Sequence, residues 1–124
     1  MAVVGATGYA GVELVRILAR HPRVKLAVLT SQQFVGKRVS EVYPSLAGRC
    51  DLVLQEARVE KIASQIDLAF TALPPGASMD VVARLVEEGK RVIDLSADFR
   101  LHEPETYRQW YRPHQAPRLL REAV

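Results

Sequence analysis

Apolar residues occur in five short, continuous runs along the chain, and stretches with a helical period lie between them. The runs cover residues 2–4, 24–30, 52–54, 68–73 and 91–95. Since their apolar positions are consecutive rather than alternating, we expect strands that are covered on both faces, as in a parallel sheet. Helices are predicted over 9–20, 60–65 and 77–88, and Gly89 supplies a stop signal for the last. The alternation of strands and helices predicts a doubly wound α/β fold, a mainly parallel sheet with helices on both faces.

A glycine-rich turn joins the first apolar run to the first helix. Gly5, Gly8 and Gly11 follow the spacing G-x-x-G-x-x-G. Such a turn lets the phosphates of a dinucleotide approach the backbone, and the N–H groups at the start of the helix can bind them. The flanking strand and helix favour a pyrophosphate site in a Rossmann-type domain, although the glycines could also serve close packing alone.

The end of the second strand bears on the choice of nucleotide. An NAD site usually has an acidic residue there, about 20 residues beyond the glycines, whereas this chain has Thr30, Ser31 and Gln32. No carboxylate would repel a 2′-phosphate, the three side chains offer donors, and Lys37 and Arg38 follow closely. The pattern favours NADP over NAD. The alternative is a simple turn followed by a solvated pair of cations.

Two further polar loops follow strands. The fourth run leads into Pro74, Pro75 and Gly76, and the fifth leads into Asp94, Ser96, Asp98 and Arg100. Ligands of open α/β sheets bind beyond the carboxyl ends of the strands, so both loops should reach the same crevice. The alternatives are a Pro-Pro-Gly turn that needs no ligand, and an Asp–Arg ion pair with Ser96 as a cap.

Composition and charge narrow the class of protein. A length of 124 residues suits one domain, and the apolar runs are far shorter than the ~20 residues that span a bilayer. The single cysteine, Cys50, excludes an internal disulfide, and no secretion signal is evident, so we expect a cytoplasmic protein. The net charge of +3 is spread along the chain. We therefore expect a small-molecule ligand, and neither nucleic acid nor a membrane, as partner.

Taken together, the motifs resemble those of the N-acetyl-gamma-glutamyl-phosphate reductases. The resemblance is carried by GATGYAGVELVRILARHP at 5–22, LTS at 29–31, EVYPSLAG at 41–48 and VIDLSADFRL at 92–101, followed by Tyr107, Trp110 and Tyr111. It implies an NADPH-dependent oxidoreductase that reduces N-acetyl-glutamyl phosphate to the semialdehyde in arginine biosynthesis. A related lysine-pathway reductase, aspartate-semialdehyde dehydrogenase and a stand-alone, non-catalytic NADP-binding module are the alternatives.

The resemblance also implies which residues form the site. The cofactor-binding residues would be Gly5, Thr7, Gly8, Tyr9 and Ala10 at the pyrophosphate, Ser31 near the 2′-phosphate, and Leu73, Pro74 and Ser96 towards the nicotinamide. Asp98 and Arg100 are candidates for support of the substrate or active site, and no metal site is expected. Relatives often carry an arginine where this chain has Gln32, so recognition of the 2′-phosphate could depend on Lys37 or Arg38.

The resemblance places the catalytic chemistry outside this chain. Family members use a cysteine thiolate that attacks the acyl phosphate and forms a thioester, which NADPH reduces with the help of a histidine. That cysteine lies in an Asn-Pro-Gly-Cys type of segment, which Cys50 does not match. We therefore expect no catalytic residue here and an inactive isolated chain. His21, His102 and His114 are expected to be surface or capping residues.

The chain changes character after residue 100. Pro104, Pro113 and Pro117 separate short charged segments, with helices predicted over 105–111 and 117–123. We expect residues 1–100 to form the NADP-binding Rossmann domain and residues 101–124 to form a helical tail. Both chain ends are expected to lie near truncation points. The tail would lead towards an absent catalytic and dimerisation domain, which would make the full enzyme a homo-oligomer.

Overall fold

Five parallel strands form the central sheet of the computed structural model, which describes residues 1–101, 103–111 and 113–124. The strands are β1 (Ala2–Val4), β2 (Val28–Thr30), β3 (Leu54–Gln55), β4 (Leu68–Thr71) and β5 (Arg91–Asp94). Their order in the sheet is β3-β2-β1-β4-β5. The order reverses between β1 and β4, which is the switch point of a doubly wound fold. The predicted fold class is confirmed.

Helices cover both faces of this sheet. They are α1 (Tyr9–Leu18), α2 (Val39–Val42), α3 (Val59–Ala63), α4 (Ser78–Glu87), α5 (Pro104–Trp110) and α6 (Pro117–Glu122), with a 3-10 turn at Pro44–Leu46. Val3 of β1 belongs to the apolar cluster under α1 and α2. Its neighbours Ala2 and Val4 belong to the opposite cluster, with residues of α3 and α4. Successive side chains of a strand point to opposite faces, so a short, wholly apolar strand is what a sheet covered on both sides requires.

Some strands differ from the predicted bounds. The second strand begins at Val28 rather than at residue 24, because β1 offers ladder partners only from Ala2, which is paired with Val28. Val24 and Leu26 pack instead against the cluster under α1. The third strand is Leu54–Gln55 rather than 52–54. Hydrophobicity alone therefore overestimated the length of the ladder, since pairing also requires residues of a neighbouring strand at the same level.

The tail packs against the sheet domain through its helices. Tyr107 of α5 and Leu120 of α6 are fully buried, whereas Trp110 is largely exposed. The rings of Phe99 and Tyr107 both meet the ring of His114 edge-on, with centroids 5.1 Å apart in each case. His114 is half-buried, and its Nδ1 accepts a hydrogen bond from the N–H of Ala116 at 3.1 Å; the expectation of a surface or capping residue stays a prediction. His21 is exposed, and His102 lies outside the described residues.

In the part of the chain that the structure describes, no helix is long and apolar enough to cross a membrane.

Candidate nucleotide-binding site

The turn between β1 and α1 is closed by two glycines that the fold itself requires. Gly5 has a φ of 84°, and a Cβ placed on it would lie 2.5 Å from the carbonyl oxygen of Ala72. A Cβ on Gly11 would lie 2.0 Å from the carbonyl oxygen of Gly5. Both contacts are far shorter than van der Waals distances. The absence of side chains at these positions lets the turn pack against the end of β4 and against α1.

Gly8 is different, because the fold leaves room for a side chain there. It is the N-cap of α1, with an ordinary φ of −77°, and the atom nearest to an added Cβ would be the carbonyl oxygen of Gly5 at 3.8 Å. The following residue, Tyr9, is 98% exposed. α1 also has no side-chain N-cap and no acidic residue in its first turn. A bare helix N-terminus beside an exposed aromatic ring suits an anionic ligand with a flat group.

The N-terminus of α4 is occupied by a carboxylate of the protein itself. The N–H of Gly76 donates to both carboxylate oxygens of Asp98 at 2.8 Å, and the hydroxyl of Ser78 donates to Oδ2 at 2.6 Å. A negative charge at this end of a helix is favourable. α1 and α4 are both ten residues long, and of these two described helices α1 is the one whose N-terminus remains open to a phosphate.

The end of β2 is hydrogen-bonded to the glycine turn. The N–H of Gly5 donates to Oγ1 of Thr30 at 3.1 Å, and the N–H of Ala6 donates to the Thr30 carbonyl at 2.8 Å. The hydroxyls of Thr7 and Ser31 lie 2.9 Å apart. Thr30 is buried, and its side chain supports the turn. Thr7 and Ser31 link the predicted pyrophosphate and 2′-phosphate regions directly.

Tyr43 also holds the turn, and the sequence did not single it out as a site residue. Its hydroxyl donates to the carbonyl oxygen of Thr7 at 2.6 Å. This bond fixes the peptide between Thr7 and Gly8, the residue at which α1 begins. The two partners are 36 positions apart in the chain, so no local pattern could indicate the contact. The one available signal was the place of Tyr43 within the EVYPSLAG segment.

Exposed polar side chains follow Ser31 on the outer side of β2. The N–H of Phe34 donates to Oγ of Ser31 at 3.2 Å, which closes a turn, and Nζ of Lys37 lies 5.8 Å from the centroid of the Phe34 ring. Gln32, Lys37 and Arg38 are all exposed. The turn therefore presents an amide and two cations beside Ser31. No acidic residue lies between positions 30 and 38.

A hydrogen-bonded network orders the loops after β4 and β5. Asp94 accepts bonds from the hydroxyls of Thr71 at 2.6 Å and Ser96 at 2.5 Å. The hydroxyls of Ser96 and Ser78 lie 2.7 Å apart. Ser96 is buried, so its side chain orders the loop rather than facing solvent.

The other two residues predicted on the nicotinamide side lie in the loop after β4. Cδ2 of Leu73 lies 3.0 Å from the position that a Cβ on Gly5 would take, so Leu73 flanks the glycine turn. Pro74, the next residue, is exposed. The structure therefore brings the start of this loop to the glycine turn and connects its later part to Ser96 through Ser78.

Asp98 is fully buried at the centre of this network. Besides the bonds from Gly76 and Ser78, its carboxylate accepts a bond from the hydroxyl of Tyr107 at 2.6 Å. Burial acts to raise the pKa of Asp98, but the hydrogen bonds from Ser78, Tyr107 and Gly76 outweigh it and hold the pKa below its ordinary value. Asp98 therefore faces the protein interior as a carboxylate.

Arg100 does not form the ion pair with Asp98 that the sequence left open as an alternative. Its guanidinium is exposed and lies 3.4 Å from the carbonyl oxygen of Leu95. It lines a groove of about 540 Å³ beside β5, between Val82 of α4 and Leu119 of α6. The role of Arg100 towards a substrate stays a prediction.

Cys50 lies far from the glycine turn. It is buried in the cluster under α1 and lines a groove of about 510 Å³ with Leu18 and Ala19. Those two residues stand at the C-terminal end of α1, about 15 Å of helix away from Gly8. The thiol is thus outside the crevice that the loops define.

A doubly wound sheet whose switch point carries a glycine turn and an open helix N-terminus defines a dinucleotide-binding domain. Residues 1–123 match the family model described as semialdehyde dehydrogenase, NAD binding domain. The chain belongs to this family.

Curated relatives with high identity over the chain are N-acetyl-gamma-glutamyl-phosphate reductases. The protein of Citrifermentans bemidjiense is 54% identical over 124 residues, which are 100% of this chain and 36% of that protein. The protein of Geobacter sulfurreducens is 52% identical with the same coverage. The chain thus spans about 36% of the length of these relatives. They confirm the resemblance that the motifs indicated.

Solved structures share the fold. Aspartate semialdehyde dehydrogenase with NADP from Candida albicans has a TM-score of 0.69 and 25% identity, covering 80% of this chain and 30% of that one. A 1-deoxy-D-xylulose 5-phosphate reductoisomerase from Zymomonas mobilis, in complex with NADPH, has a TM-score of 0.57 and 20% identity. It covers 91% of this chain and 36% of that one, and at this identity the likeness concerns the fold alone.

Proposed function

We propose that this chain is the NADP(H)-binding unit of an N-acetyl-gamma-glutamyl-phosphate reductase. The observation that carries the proposal is the open N-terminus of α1 at the switch point of the sheet. Its N-cap, Gly8, has no side-chain cap, and Tyr9 is exposed. The names of the relatives supply the reaction class. Bound NADPH would supply the hydride that reduces an acyl group to an aldehyde.

The residues of this chain fit the cofactor by their position. The backbone from Gly5 to Ala10 would hold the pyrophosphate, because it includes the open N-terminus of α1. Tyr9 would cover the ligand with its exposed ring. Leu73, Pro74 and the ordered loop around Ser96 would bound the nicotinamide side of the crevice.

The end of β2 supports NADP rather than NAD. A carboxylate in this position would accept bonds from the ribose hydroxyls and repel a 2′-phosphate, and residues 30–38 contain none. Ser31, which is itself buried, would bind the phosphate together with the exposed side chain of Gln32, Lys37 or Arg38 on the same turn. The structural neighbour from Candida albicans was solved with NADP, which supports this assignment.

The remaining chemistry would be carried by other parts of a longer, cytoplasmic enzyme. Cys50 is buried at the far end of α1, so it is not placed to attack a substrate beside the nicotinamide. A cysteine and a histidine of a second domain would form and resolve the thioester, and that domain would also form the homo-oligomer. Residues 101–124 would lead towards it from the nucleotide-binding domain.

Titration of the chain with NADPH and NADH tests the cofactor assignment. We expect micromolar binding of NADPH and about tenfold or more weaker binding of NADH, since charge-assisted hydrogen bonds to the 2′-phosphate are lost. Lys37→Ala should weaken the binding of NADPH and leave the binding of NADH unchanged. Lys25→Ala is the matched control, because Lys25 is also exposed but precedes the start of β2, whereas Lys37 follows its end.

Two results would contradict the proposal in different ways. Equal affinities for NADPH and NADH would remove the preference for NADP while retaining dinucleotide binding. No binding of either ligand by a folded chain would reject the function itself. The division of chemistry has its own test, since oxidation of NADPH by the chain with an acyl phosphate would show that the catalytic groups lie within it.

A further inference from the structure

The carboxylate of Asp98 joins three segments that are distant in sequence. It accepts hydrogen bonds from Gly76 and Ser78, at the start of α4, and from Tyr107 in α5. In the described residues no cation lies within ion-pair distance of it. A buried charge held by hydrogen bonds alone loses stabilisation whenever one donor moves away. Asp98 therefore holds the loop after β5, the start of α4 and α5 together.

The tail contributes further bonds to the same loop. Nε2 of His114 lies 2.6 Å from the carbonyl oxygen of Asp98, and the ring of His114 packs against Phe99 and Tyr107. The N–H of Gln115 lies 3.3 Å from the sulfur of Met79 in α4. Tyr107, His114 and Gln115 thus fasten the tail both to the loop after β5 and to the start of α4.

The loop after β4 connects this cluster to the glycine turn. Ala72 and Leu73 approach Gly5 so closely that a Cβ there would meet them at 2.5 Å and 3.0 Å. Three residues further on, Gly76 adopts a φ of 85° and donates its N–H to Asp98. The five residues 72–76 are therefore anchored at one end by the glycine turn and at the other by Asp98.

We propose that Asp98 is a positioning residue for the nicotinamide half of the cofactor, and that the tail acts on that half through Tyr107. A dinucleotide lies across the switch point of such a sheet, with its adenosine half on the side of β2 and its other half on the side of β4 and β5. The hydrogen bonds that the Asp98 carboxylate accepts all come from the second side. This inference rests on the proposed function, since it concerns how the same site binds NADP(H).

The test compares a whole cofactor with its adenosine half. Tyr107→Phe removes the hydroxyl that donates to Asp98 and keeps the buried ring. We expect its affinity for NADPH to fall about tenfold, with affinity for adenosine 2′,5′-bisphosphate unchanged within about twofold. Tyr111→Phe is the matched control, because the Tyr111 ring stacks on Tyr107 with centroids 4.8 Å apart. Its hydroxyl makes no hydrogen bond with the residues that the structure describes.

A measurement without ligand tests the contact between Tyr107 and Asp98 independently of binding. Amide hydrogen exchange of Gly76 should be slow in the parent chain and in Tyr111→Phe, and faster in Tyr107→Phe. Equal losses of affinity for both ligands would overturn the inference, because they would indicate general destabilisation. Unchanged NADPH affinity with unchanged exchange at Gly76 would overturn it as well. If the parent chain bound the bisphosphate but Tyr107→Phe had no effect on NADPH, the proposed function would stand and this inference would fail.

Discussion

At the scale of single residues, the three glycines of the turn between β1 and α1 have different roles. A Cβ on Gly11 would overlap the carbonyl oxygen of Gly5, whereas a Cβ on Gly8 would lie at ordinary contact distance. Sequence spacing treats the three positions alike, because it contains no information on what lies opposite each Cα. The contrast between Gly11 and Gly8 separates the requirements of packing from those of a ligand.

Alanine substitutions at Gly8 and Gly11 should therefore affect different properties, namely NADPH binding and stability. Gly11→Ala should destabilise the chain by about 3 kcal/mol, since the backbone must move to relieve the overlap. Gly8→Ala should change stability by less than about 1 kcal/mol but weaken NADPH binding at least about tenfold, because the methyl group stands at the open N-terminus of α1. Urea unfolding and NADPH titration measure the two effects. Full NADPH affinity in Gly8→Ala would show that the phosphates do not approach this residue.

Tyr43 makes a prediction that the sequence alone did not suggest. Tyr43→Phe removes the bond to the Thr7 carbonyl, worth about 1 kcal/mol as a neutral hydrogen bond, and leaves the aromatic packing in place. We expect NADPH affinity to fall about threefold to fivefold, with adenosine 2′,5′-bisphosphate affected as well, because Thr7 also contacts Ser31. Calorimetric titration of both ligands measures this. A loss restricted to NADPH would place the effect of Tyr43 elsewhere in the site.

At the scale of elements, local pattern predicted the helices better than the sheet. The helix predicted over 9–20 is Tyr9–Leu18 in the structure, and the one over 77–88 is Ser78–Glu87. α2, with only four residues, is too short to have a helical period and was missed. Strand ends depend on partners, as Val28 shows by pairing with Ala2. The candidate site residues near the glycines follow from the same local pattern, whereas the contacts of Tyr43, Ser78 and Tyr107 are made only by the tertiary fold.

The Asp98 carboxylate at the N-terminus of α4 should make the free energy of unfolding depend on pH. The pKa of Asp98 is lowered in the folded chain, so the unfolded chain binds a proton first as pH falls. The stabilisation is complete above the ordinary aspartate value, about pH 4, and is lost as pH falls from there through the lower folded value. Asp94, linked to Asp98 through Ser78 and Ser96, lies in the same network.

Urea midpoints between pH 7 and pH 3 would show this contribution. Asp98→Asn should be less stable at pH 7 and lose less on acidification, because the group that titrates is gone. Asp80→Asn is a suitable comparison, since Asp80 stands in the first turn of the same helix and its side chain is 69% exposed. If both variants lost stability as steeply as the parent chain between pH 7 and pH 3, carboxylates other than Asp98 would account for most of that loss.

At the scale of the whole molecule, the proposed ligand would connect segments that otherwise meet only through the sheet. The turn after β1 and the loops after β2, β4 and β5 all lie at the carboxyl edge, and a dinucleotide across the switch point would contact all of them. A ligand that binds only the folded chain stabilises it by mass action, about 2.7 kcal/mol at 100 times Kd. For a chain of 124 residues this corresponds to roughly 10 °C in Tm.

The thermal shift should therefore depend on which cofactor is present. If NADH binds tenfold more weakly, the same concentration gives about 1.4 kcal/mol and roughly half the shift of NADPH. Gly8→Ala should reduce the NADPH shift while changing the Tm of the free chain by less than about 4 °C, which separates loss of binding from loss of folding. Calorimetry of the parent chain and this variant, each with NADPH and NADH, gives all four values. Equal shifts from both cofactors would mean that the turn carrying Ser31, Lys37 and Arg38 does not contact the 2′-phosphate, even if α1 binds the pyrophosphate as proposed.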